Sequence, residues 1–571
     1  MLTFAIISDT HIRPKEGDLS SPFKVNLLAN GRARYAVALI KSLKPEFTVH
    51  LGDVVHPLYH MKSYDKAWDM AREILEPLEP KLHFVPGNHD IGDKTIMDSP
   101  AKPINEISTH TYEKHQPKQR FSFETRGTLC VGINSSLFNS RTVEEEEQKD
   151  WLARTLHNSQ ARTKLLFSHY PPMICHQEES EHYDNYDPIN RLWLLELVAQ
   201  TSVDIIFSGH VHHFFFNRYK GVKLFCLPST CFTRQDYAEI FSIQPAPEFG
   251  RDDTPKLGIT MVEITDDGPR VSIIGTDGLS MESEQKQIVP SVEPRKTPLI
   301  PHLRHGIHTT RLLPYNGPME EFSRKEARND YPLLRLLQLG IEVIRVPGTD
   351  LAIPQAKKRL EDWCSLGGKV VPFFLGIQDN RLLKQFTNTF AGEIRALEFL
   401  VSSLEEMMPL GNQLNSIPGM DTPLWVSKIS SSSENLDSNS LYSHSVSSGF
   451  HPEELTALAP EWTKGGWSGV IVQCPWEKEP SKYFQETLPY LPNSGMDLVV
   501  NIRLAKSNPS EGNFCQEAIK TRIDYFLEIS SQNKNMHLLL DTFEDIDRGY
   551  SPRYGLIDRL GNLRWSRFGP D

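Results

Sequence analysis

The chain has 571 residues, 39% of them hydrophobic and 23% charged; that length predicts two or more domains with substantial cores, and that composition excludes a membrane-spanning or disordered chain. The formal net charge of -12 offers no basic field, which argues against long nucleic acid as a partner but leaves a small phosphorylated substrate open. Seven scattered cysteines without a Cys-x-x-Cys predict reduced, mostly buried thiols and a cytoplasmic protein.

Leu2 to Ser8 is a β-rich apolar run ending at Asp9, which reads as a strand and not as a signal peptide. Arg32 to Leu43 has helical spacing. Phe47 to Leu51 is the next strand and ends at Gly52-Asp53; Tyr64 to Leu78 is helical; Lys81 to Val85 delivers the turn Pro86-Gly87-Asn88-His89-Asp90. Thr128 to Ile133 is a strand and Glu144 to Leu156 a helix with an acidic start suited to its dipole. Lys164 to Phe167 leads to His169, and Val203 to Phe207 leads to Gly209-His210. Strands alternating with helices predict an α/β sheet covered by helices. After Val222 to Leu227 the helices stop, and Gly258 to Ile264 with Arg270 to Gly275 predict a β-hairpin around Asp266-Asp267-Gly268.

Glu282 to Pro301 is rich in Gln, Lys, Glu and Pro, so the expected organisation is a domain at 1–282, a linker at 283–302 and a second domain at 303–571. In that second domain strands are predicted at Gly306–Leu313, Ile341–Val346, Lys369–Leu375, Arg395–Leu400, Leu424–Ile429, Gly469–Cys474, Asp497–Ile502 and Met536–Leu540. Helical patterns between them include Arg324–Leu339, Ile353–Leu366, Pro452–Trp462 and Phe514–Ser531. About eight strand and helix repeats over roughly 250 residues is the size of a (β/α)8 TIM-like barrel. Ser430 to Ser448 reads as a long loop after the fifth strand.

Five motifs follow strand ends in the first half: Asp9-x-His11, Asp53, Asn88-His89-Asp90, His169 and His210-x-His212. Ligands in open α/β sheets gather outside the carboxyl ends of the strands. Asp9, His11, Asp53, Asn88, His169, His210 and His212 are therefore the candidate metal ligands. Carboxylate, imidazole and amide without thiolate suit Mn, Fe, Zn or Co in five- or six-coordinate sites. Seven ligands exceed the needs of one ion, and two ions sharing a carboxylate use them all. An extended exit from each strand is expected to turn the two-apart pairs, Asp9 with His11 and His210 with His212, toward one side.

These residues, as a set, resemble the signature of the calcineurin-like metallophosphoesterase superfamily, nearest to its bacterial class III cyclic nucleotide phosphodiesterase branch, over about Met1 to Asp277. The resemblance implies a four-layer α/β/β/α sandwich. It also implies that Asp9, His11 and His212 bind one of two divalent or mixed-valence ions, that Asn88, His169 and His210 bind the other, and that Asp53 bridges them. His89 would bind neither ion and would act as general acid, with Asp90 as its orienting partner, while a metal-bridging hydroxide attacks the phosphorus.

The expected reaction is hydrolysis of a small phosphodiester, a cyclic nucleotide or a glycerol- or sugar-linked diester. Phosphomonoester hydrolysis at the same site is the alternative, and a homo-oligomer is left open; no membrane partner is expected. Arg13 is a candidate for a phosphate contact, and the loop His176 to Asn190, with Tyr183 and Tyr186, is placed over the cleft. His56, His60, His83, His176 and His213 read as structural or pocket-lining. In the barrel, the strand ends carry Asp350, Asp379, Glu398, Lys428, Trp476, Arg503, Asp541 and Glu544. Glu398 with Asp541 or Glu544 would make a glycosidase pair. The competing readings of the barrel are a substrate-recognition or dimerisation module and an inactive scaffold.

Overall fold

The computed structural model describes residues 1–18, 20–79, 81–96, 102–241, 243–281, 297–314, 324–376, 380–417, 421–431, 446–455, 465–487, 495–504, 516–546 and 554–564. They form two units. One holds the described residues up to 281 together with those from Thr310 to Leu334; the other holds 297–309 and the described residues from Arg335 onward. Most of the expected linker at 283–302, most of the stretch Ser430–Ser448 and the later part of the helix expected at 452–462 lie outside the described residues.

In chain order the first unit runs β1 (Leu2–Ile7), α1 (Ala29–Leu43), β2 (Thr48–His50), α2 (Tyr64–Leu75), β3 (Leu82–Phe84), α3 (Asn88–Ile91) and α4 (Glu106–Glu113). It continues with β4 (Phe121–Thr125), β5 (Thr128–Gly132), α5 (Val143–Asn158), β6 (Thr163–Ser168), α6 (Pro188–Gln200), β7 (Ile205–Ser208), β8 (Phe215–Tyr219), β9 (Val222–Cys226), β10 (Gly258–Thr265) and β11 (Gly268–Gly275). One sheet has the order β11-β10-β1-β2-β3 and a second the order β4-β5-β6-β7-β9-β8.

Strand alternation sets the layers. On β1, Ala5 and Ile7 pack with Ala36, Ile40 and Trp68 of α1 and α2, while Phe4 points the other way and meets Phe167 of β6 edge-on at 6.0 Å. On the second sheet Val131 and Leu166 pack with Leu152 and Leu194 of α5 and α6, and Phe167 stacks on Phe207 at 5.6 Å. The layers are helix, sheet, sheet, helix, with an aromatic seam between the sheets.

Elements of this unit without a counterpart in the sequence reading include β4, α4, β8 and α6. β4 is a half-exposed strand whose Phe-x-Phe faces the seam. β8 follows the second His pair so closely that its Phe-rich start reads as a continuation of that motif. α6 starts at Pro188, inside the segment read as a loop, because Asp187 Oδ1 accepts from the N–H groups of Ile189 and Asn190 at 3.1 Å each and Pro188 fits the first turn.

The second unit is a row of parallel strands. β12 (Leu299–Pro301) belongs to it, whereas β13 (Thr310–Leu312) and β14 (Glu326–Arg328) pair antiparallel in the first unit. Then come β15 (Val343–Pro347), β16 (Lys369–Leu375), β17 (Leu397–Val401), β18 (Leu424–Ser431), β19 (Val446–Ser448), β20 (Gly469–Cys474), β21 (Asp497–Arg503) and β22 (Met536–Asp541). Their order is β12-β22-β21-β20-β18-β17-β16-β15, with β19 paired to β18. Parallel bridges Thr297 to Ile341 and His302 to Arg345 link the two ends of the row, which is therefore nearly closed. Helices Pro354–Ser365, Asn380–Thr389, Met407–Asn415 and Gln516–Gln532 lie between strands.

Two expectations are corrected here. The strand opening the row is Leu299–Pro301 and not Gly306–Leu313, because proline's fixed φ suits the end of a strand as well as a linker. The helix expected at Arg324–Leu339 is β14 followed by a helix at Tyr331–Gln338, since the side chains of Lys325 and Arg328 are drawn to carboxylates of the first unit. Six described thiols are free and five of them buried. No helix among the described residues is long and apolar enough to cross a membrane.

Candidate metal centre

The five motif turns meet at the carboxyl ends of β1, β2, β3, β6 and β7. Three of them, at Asp9 and His11, at Asp53 and at His210 and His212, leave their strands in left-handed conformations, not extended ones: φ is 52° at Asp9, 44° at His11, 52° at Asp53, 68° at His210 and 57° at His212. This corrects the expected extended exit. A left-handed residue costs an L side chain energy, and such strain persists where the surroundings over-determine it. Here the turns lock one another: Asp9 N–H donates to the Gly52 carbonyl at 3.1 Å, His11 N–H to the Asp53 carbonyl at 3.0 Å and Gly209 N–H to the His169 carbonyl at 2.9 Å. The motif glycines permit this approach, since a Cβ on Gly87 would stand 2.1 Å from the Asp53 nitrogen and one on Gly209 2.7 Å from Asp9 Oδ2.

Each of the four imidazoles turns one nitrogen outward and the other inward; the outward nitrogens of His11, His169 and His212 are hydrogen-bonded. His212 Nδ1 donates to the Phe232 carbonyl at 2.9 Å and His169 Nδ1 to the Leu51 carbonyl at 2.8 Å. His11 Nδ1 meets His56 Nδ1 at 3.1 Å, and His210 Nε2 faces Asp184 Oδ1 at 3.3 Å. Such outer partners fix the tautomer and aim of metal-binding histidines. The inward nitrogens crowd together: His11 Nε2 lies 3.1 Å from His212 Nε2, and His210 Nδ1 lies 3.2 Å from His169 Nε2. Asn88 Oδ1 is 3.0 Å from both His169 Nε2 and His210 Nδ1.

All seven expected ligands are thus brought together, all buried. The donor atoms of Asp9, His11, Asp53 and His212 form one group that could hold an ion, and those of Asp53, His169 and His210 form another. Asp53 is in both, with Oδ2 3.5 Å from His11 Nε2 and Oδ1 3.4 Å from His169 Nε2. The field suits cations. Burial alone would raise the Asp53 carboxyl, yet His169, His89 and His11 hold it well below the carboxylate range. Burial lowers the His169 ring, but Asp53 and Asp9 outweigh it and lift the ring to about 9, so positive charge is drawn to Nε2. Burial keeps His11 and His210 neutral, the latter pushed down to about 4. The ionised carboxylate and the inward lone pairs of neutral His11 and His210 fit a metal site.

His89 is in neither of those two groups, although its ring falls with His11 and His56 in a third set that could also hold an ion. Its backbone N–H donates to Asp53 Oδ1 at 2.8 Å, its Nδ1 bonds the His56 carbonyl, and its ring borders the cleft edge-on to His11 at 4.7 Å. Asp90 does not orient it, which corrects the expected pairing. The Asp90 carboxylate accepts from Val54 N–H at 3.0 Å, Val55 N–H at 3.2 Å and Gly87 N–H at 2.9 Å, and is fully buried. A short turn directs residue 90 back under the loop, so Asp90 clamps the Asn88 turn to the Asp53 turn. Arg13 is no phosphate contact either: it is buried against Asp18, Nε at 3.0 Å and Nη2 at 2.6 Å.

The cleft over the centre has a volume of about 310 Å³ and is lined by His56, His89, Tyr183, Phe232, Arg234 and Arg251 besides the metal-ligand candidates. Tyr183 OH accepts from Asn88 Nδ2 at 3.1 Å, whereas Tyr186 points away to Ser168. Four contributors had no motif to reveal them: Asp184, Arg234, Arg251 and Lys325. Asp184, behind His210, is bound by Arg234, by Lys325 Nζ at 2.9 Å and by Tyr237 OH at 2.8 Å. Arg251 sits over the Phe232 ring at 4.0 Å, bonds Gln235 at 2.9 Å and Asn26 at 3.2 Å, and makes no ion pair among the described residues.

Comparison with known proteins places these residues in a wider group. Residues 2–214 match the family described as calcineurin-like phosphoesterase. Glycerophosphodiester phosphodiesterase GpdQ of Enterobacter lignolyticus is 27% identical over 236 residues, 40% of this chain and 77% of its own. The 3',5'-cyclic adenosine monophosphate phosphodiesterase CpdA of Haemophilus influenzae is 24% identical over 244 residues, 42% of this chain and 79% of its own. The serine/threonine-protein phosphatase CPPED1 of Homo sapiens is 26% identical over 188 residues, 31% of this chain and 57% of its own.

Proposed function

Residues 2–214 carry a calcineurin-like phosphoesterase domain, and from that premise we propose that the chain is a metal-dependent phosphodiesterase acting on a small diester such as a glycerophosphodiester or a cyclic nucleotide. The observation that carries this reading is Asp53, whose two carboxylate oxygens face the two histidine groups separately. Asp9, His11 and His212 would hold one divalent or mixed-valence ion of Mn, Fe, Zn or Co, Asn88, His169 and His210 the other, and Asp53 both. Bound there, such ions supply an activated water and neutralise the phosphoryl oxygens.

The remaining work falls to side chains. His89 keeps its Nδ1 proton on the His56 carbonyl, so in the doubly protonated ring it is the Nε2 proton that passes to the leaving oxygen, leaving the ring neutral. Arg251, without a carboxylate partner among the described residues, binds the anionic substrate at the cleft mouth, and Tyr183 orients Asn88. Asp184 holds His210 in the aim it needs. Phosphomonoester hydrolysis is the second reading, favoured by the likeness to CPPED1, which is named a phosphatase. The row of eight parallel strands supports a (β/α)8 barrel as the second domain, joined through the linker to a phosphoesterase domain in a cytoplasmic protein.

The test is turnover of bis-aryl and mono-aryl phosphates, glycerophosphodiesters and cyclic nucleotides, with bound metal measured on the same sample. Faster turnover of diesters supports the first reading, faster turnover of monoesters the second, and full activity without metal overturns both.

A further inference from the structure

The strands of the second unit turn their inner side chains into layers. One layer is apolar, with Ile300, Val371, Trp425, Ile471, Val499 and Leu539 in a single cluster. Side chains of a strand return to the same face every second residue, so the next layer toward the carboxyl ends comes from residues two further on. It is mostly polar: His302, Arg345, Glu398, Ser427, Gln473, Asn501 and Asp541, none more than 6% exposed, with Phe373 as its apolar member against His302 and Arg345. Contacts across the row agree with this layering. Arg345 Nε and Nη2 donate to the two oxygens of Glu398 at 2.5 and 2.7 Å, and Arg345 Nη1 donates to His302 Nδ1 at 3.0 Å.

A polar layer inside a barrel is expected to satisfy itself. This one does not. His302 Nε2, Ser427 Oγ and Asn501 Oδ1 are buried and make no hydrogen bond among the described residues, nor does Nε of Arg503, two residues beyond Asn501 on the same face. Arg503 is 6% exposed and has no carboxylate partner among the described residues. A buried cation without a counter-ion and buried polar atoms without partners are costly unless a ligand completes them.

The chemistry of the atoms narrows the ligand. Because His302 Nδ1 accepts from Arg345, its Nε2 carries the hydrogen and is a donor. Asn501 Oδ1 is an acceptor, and Ser427 Oγ is both. Hydroxyl groups, which give and receive at once, match such a mixed set. We propose that this layer binds a small polyhydroxylated anion, with Arg503 taking its phosphate or carboxylate and His302, Ser427 and Asn501 its hydroxyls. The pair of Glu398 with Asp541 does not suit glycoside cleavage: both oxygens of Glu398 are held by Arg345, and Asp541 Oδ1 is paired with Arg304 at 2.5 Å, whereas a glycosidase needs one carboxyl to donate a proton and a second to attack or activate water. This inference does not rest on the phosphodiesterase reading.

Titration calorimetry of the full metal-loaded chain with gluconate, glycerol 3-phosphate and neutral sorbitol tests it. Saturable binding of at least one anion is expected, with sorbitol about tenfold weaker or worse, and a loss of about tenfold or more in both Arg503→Gln and Asn501→Ala, their folding checked by near-ultraviolet circular dichroism. Binding of gluconate only would assign the carboxylate, and of glycerol 3-phosphate only the phosphate. No saturable anion binding overturns the proposal, as does binding that survives both substitutions or is lost in Asn88→Ala alone. Crystals soaked in gluconate give an answer that needs no substitution: density beside Arg503 supports the site, and its absence there overturns it.

Discussion

Asp184 Oδ1 stands 3.3 Å from His210 Nε2 while its other oxygen accepts from Lys325 Nζ at 2.9 Å. Lys325 lies 141 residues further along the chain, so a segment beyond the matched family region braces a residue behind the candidate metal centre. Asp184→Asn is expected to weaken metal retention by about 10 to 100-fold, the usual effect of losing an outer partner of a ligating histidine. Lys325→Met should do the same more weakly. Competition with a chelator of known affinity measures both, and unchanged retention in Asp184→Asn would show that His210 needs no such brace.

His89→Gln should leave the metal content intact and slow hydrolysis by about 10²–10⁴-fold for substrates with poor leaving groups. For aryl leaving groups that need no proton the loss should be small. A plot of rate against leaving-group pKa reads this directly, and an equal loss across the series would remove His89 from the proton transfer.

Arg251→Met should raise KM for an anionic diester by about tenfold with little change in kcat, because a charge-assisted contact made equally in ground and transition states affects binding alone. A fall in kcat with KM unchanged would assign Arg251 to the transition state instead.

Acid should loosen the second unit through His302. Burial, followed by the charges of Arg345 and Arg304, pushes this ring down to about 3 against the pull of Asp541. As pH falls below about 6.5 the unfolded ring takes a proton that the folded one refuses, so stability is present above that pH and is lost progressively toward pH 3. Denaturant unfolding at pH 7 and pH 5 should show a smaller drop in His302→Gln than in the native chain. An identical drop would mean that other groups set the acid response.

The gathering of the seven candidate residues was legible in the sequence because strand-terminal Asp, Asn and His in one order have few other reasons to occur together. The turns that unite them were less so. Alternation suggested an extended exit for Asp9 and His11, whereas left-handed φ values at both arise from hydrogen bonds between turns that no local pattern encodes. Asp90 shows the same limit: its neighbour His89 faces the cleft, but its own carboxylate is claimed by Val54, Val55 and Gly87 N–H groups. Asp184, Arg234 and Lys325 join only through tertiary contact. In the second half most strands were readable from β-branched runs, and β12 was missed because Pro301 and the preceding Pro298 resemble the prolines of a linker.

The most direct measurement is the metal content of the purified chain beside that of Asn88→Ala, by mass spectrometry of bound metal with diesterase activity on the same samples. Two ions per chain falling toward one, with activity lost, are expected if Asn88 serves one ion and Asp53 bridges both. An unchanged metal content in Asn88→Ala, or full activity in metal-free protein, would contradict the dinuclear centre.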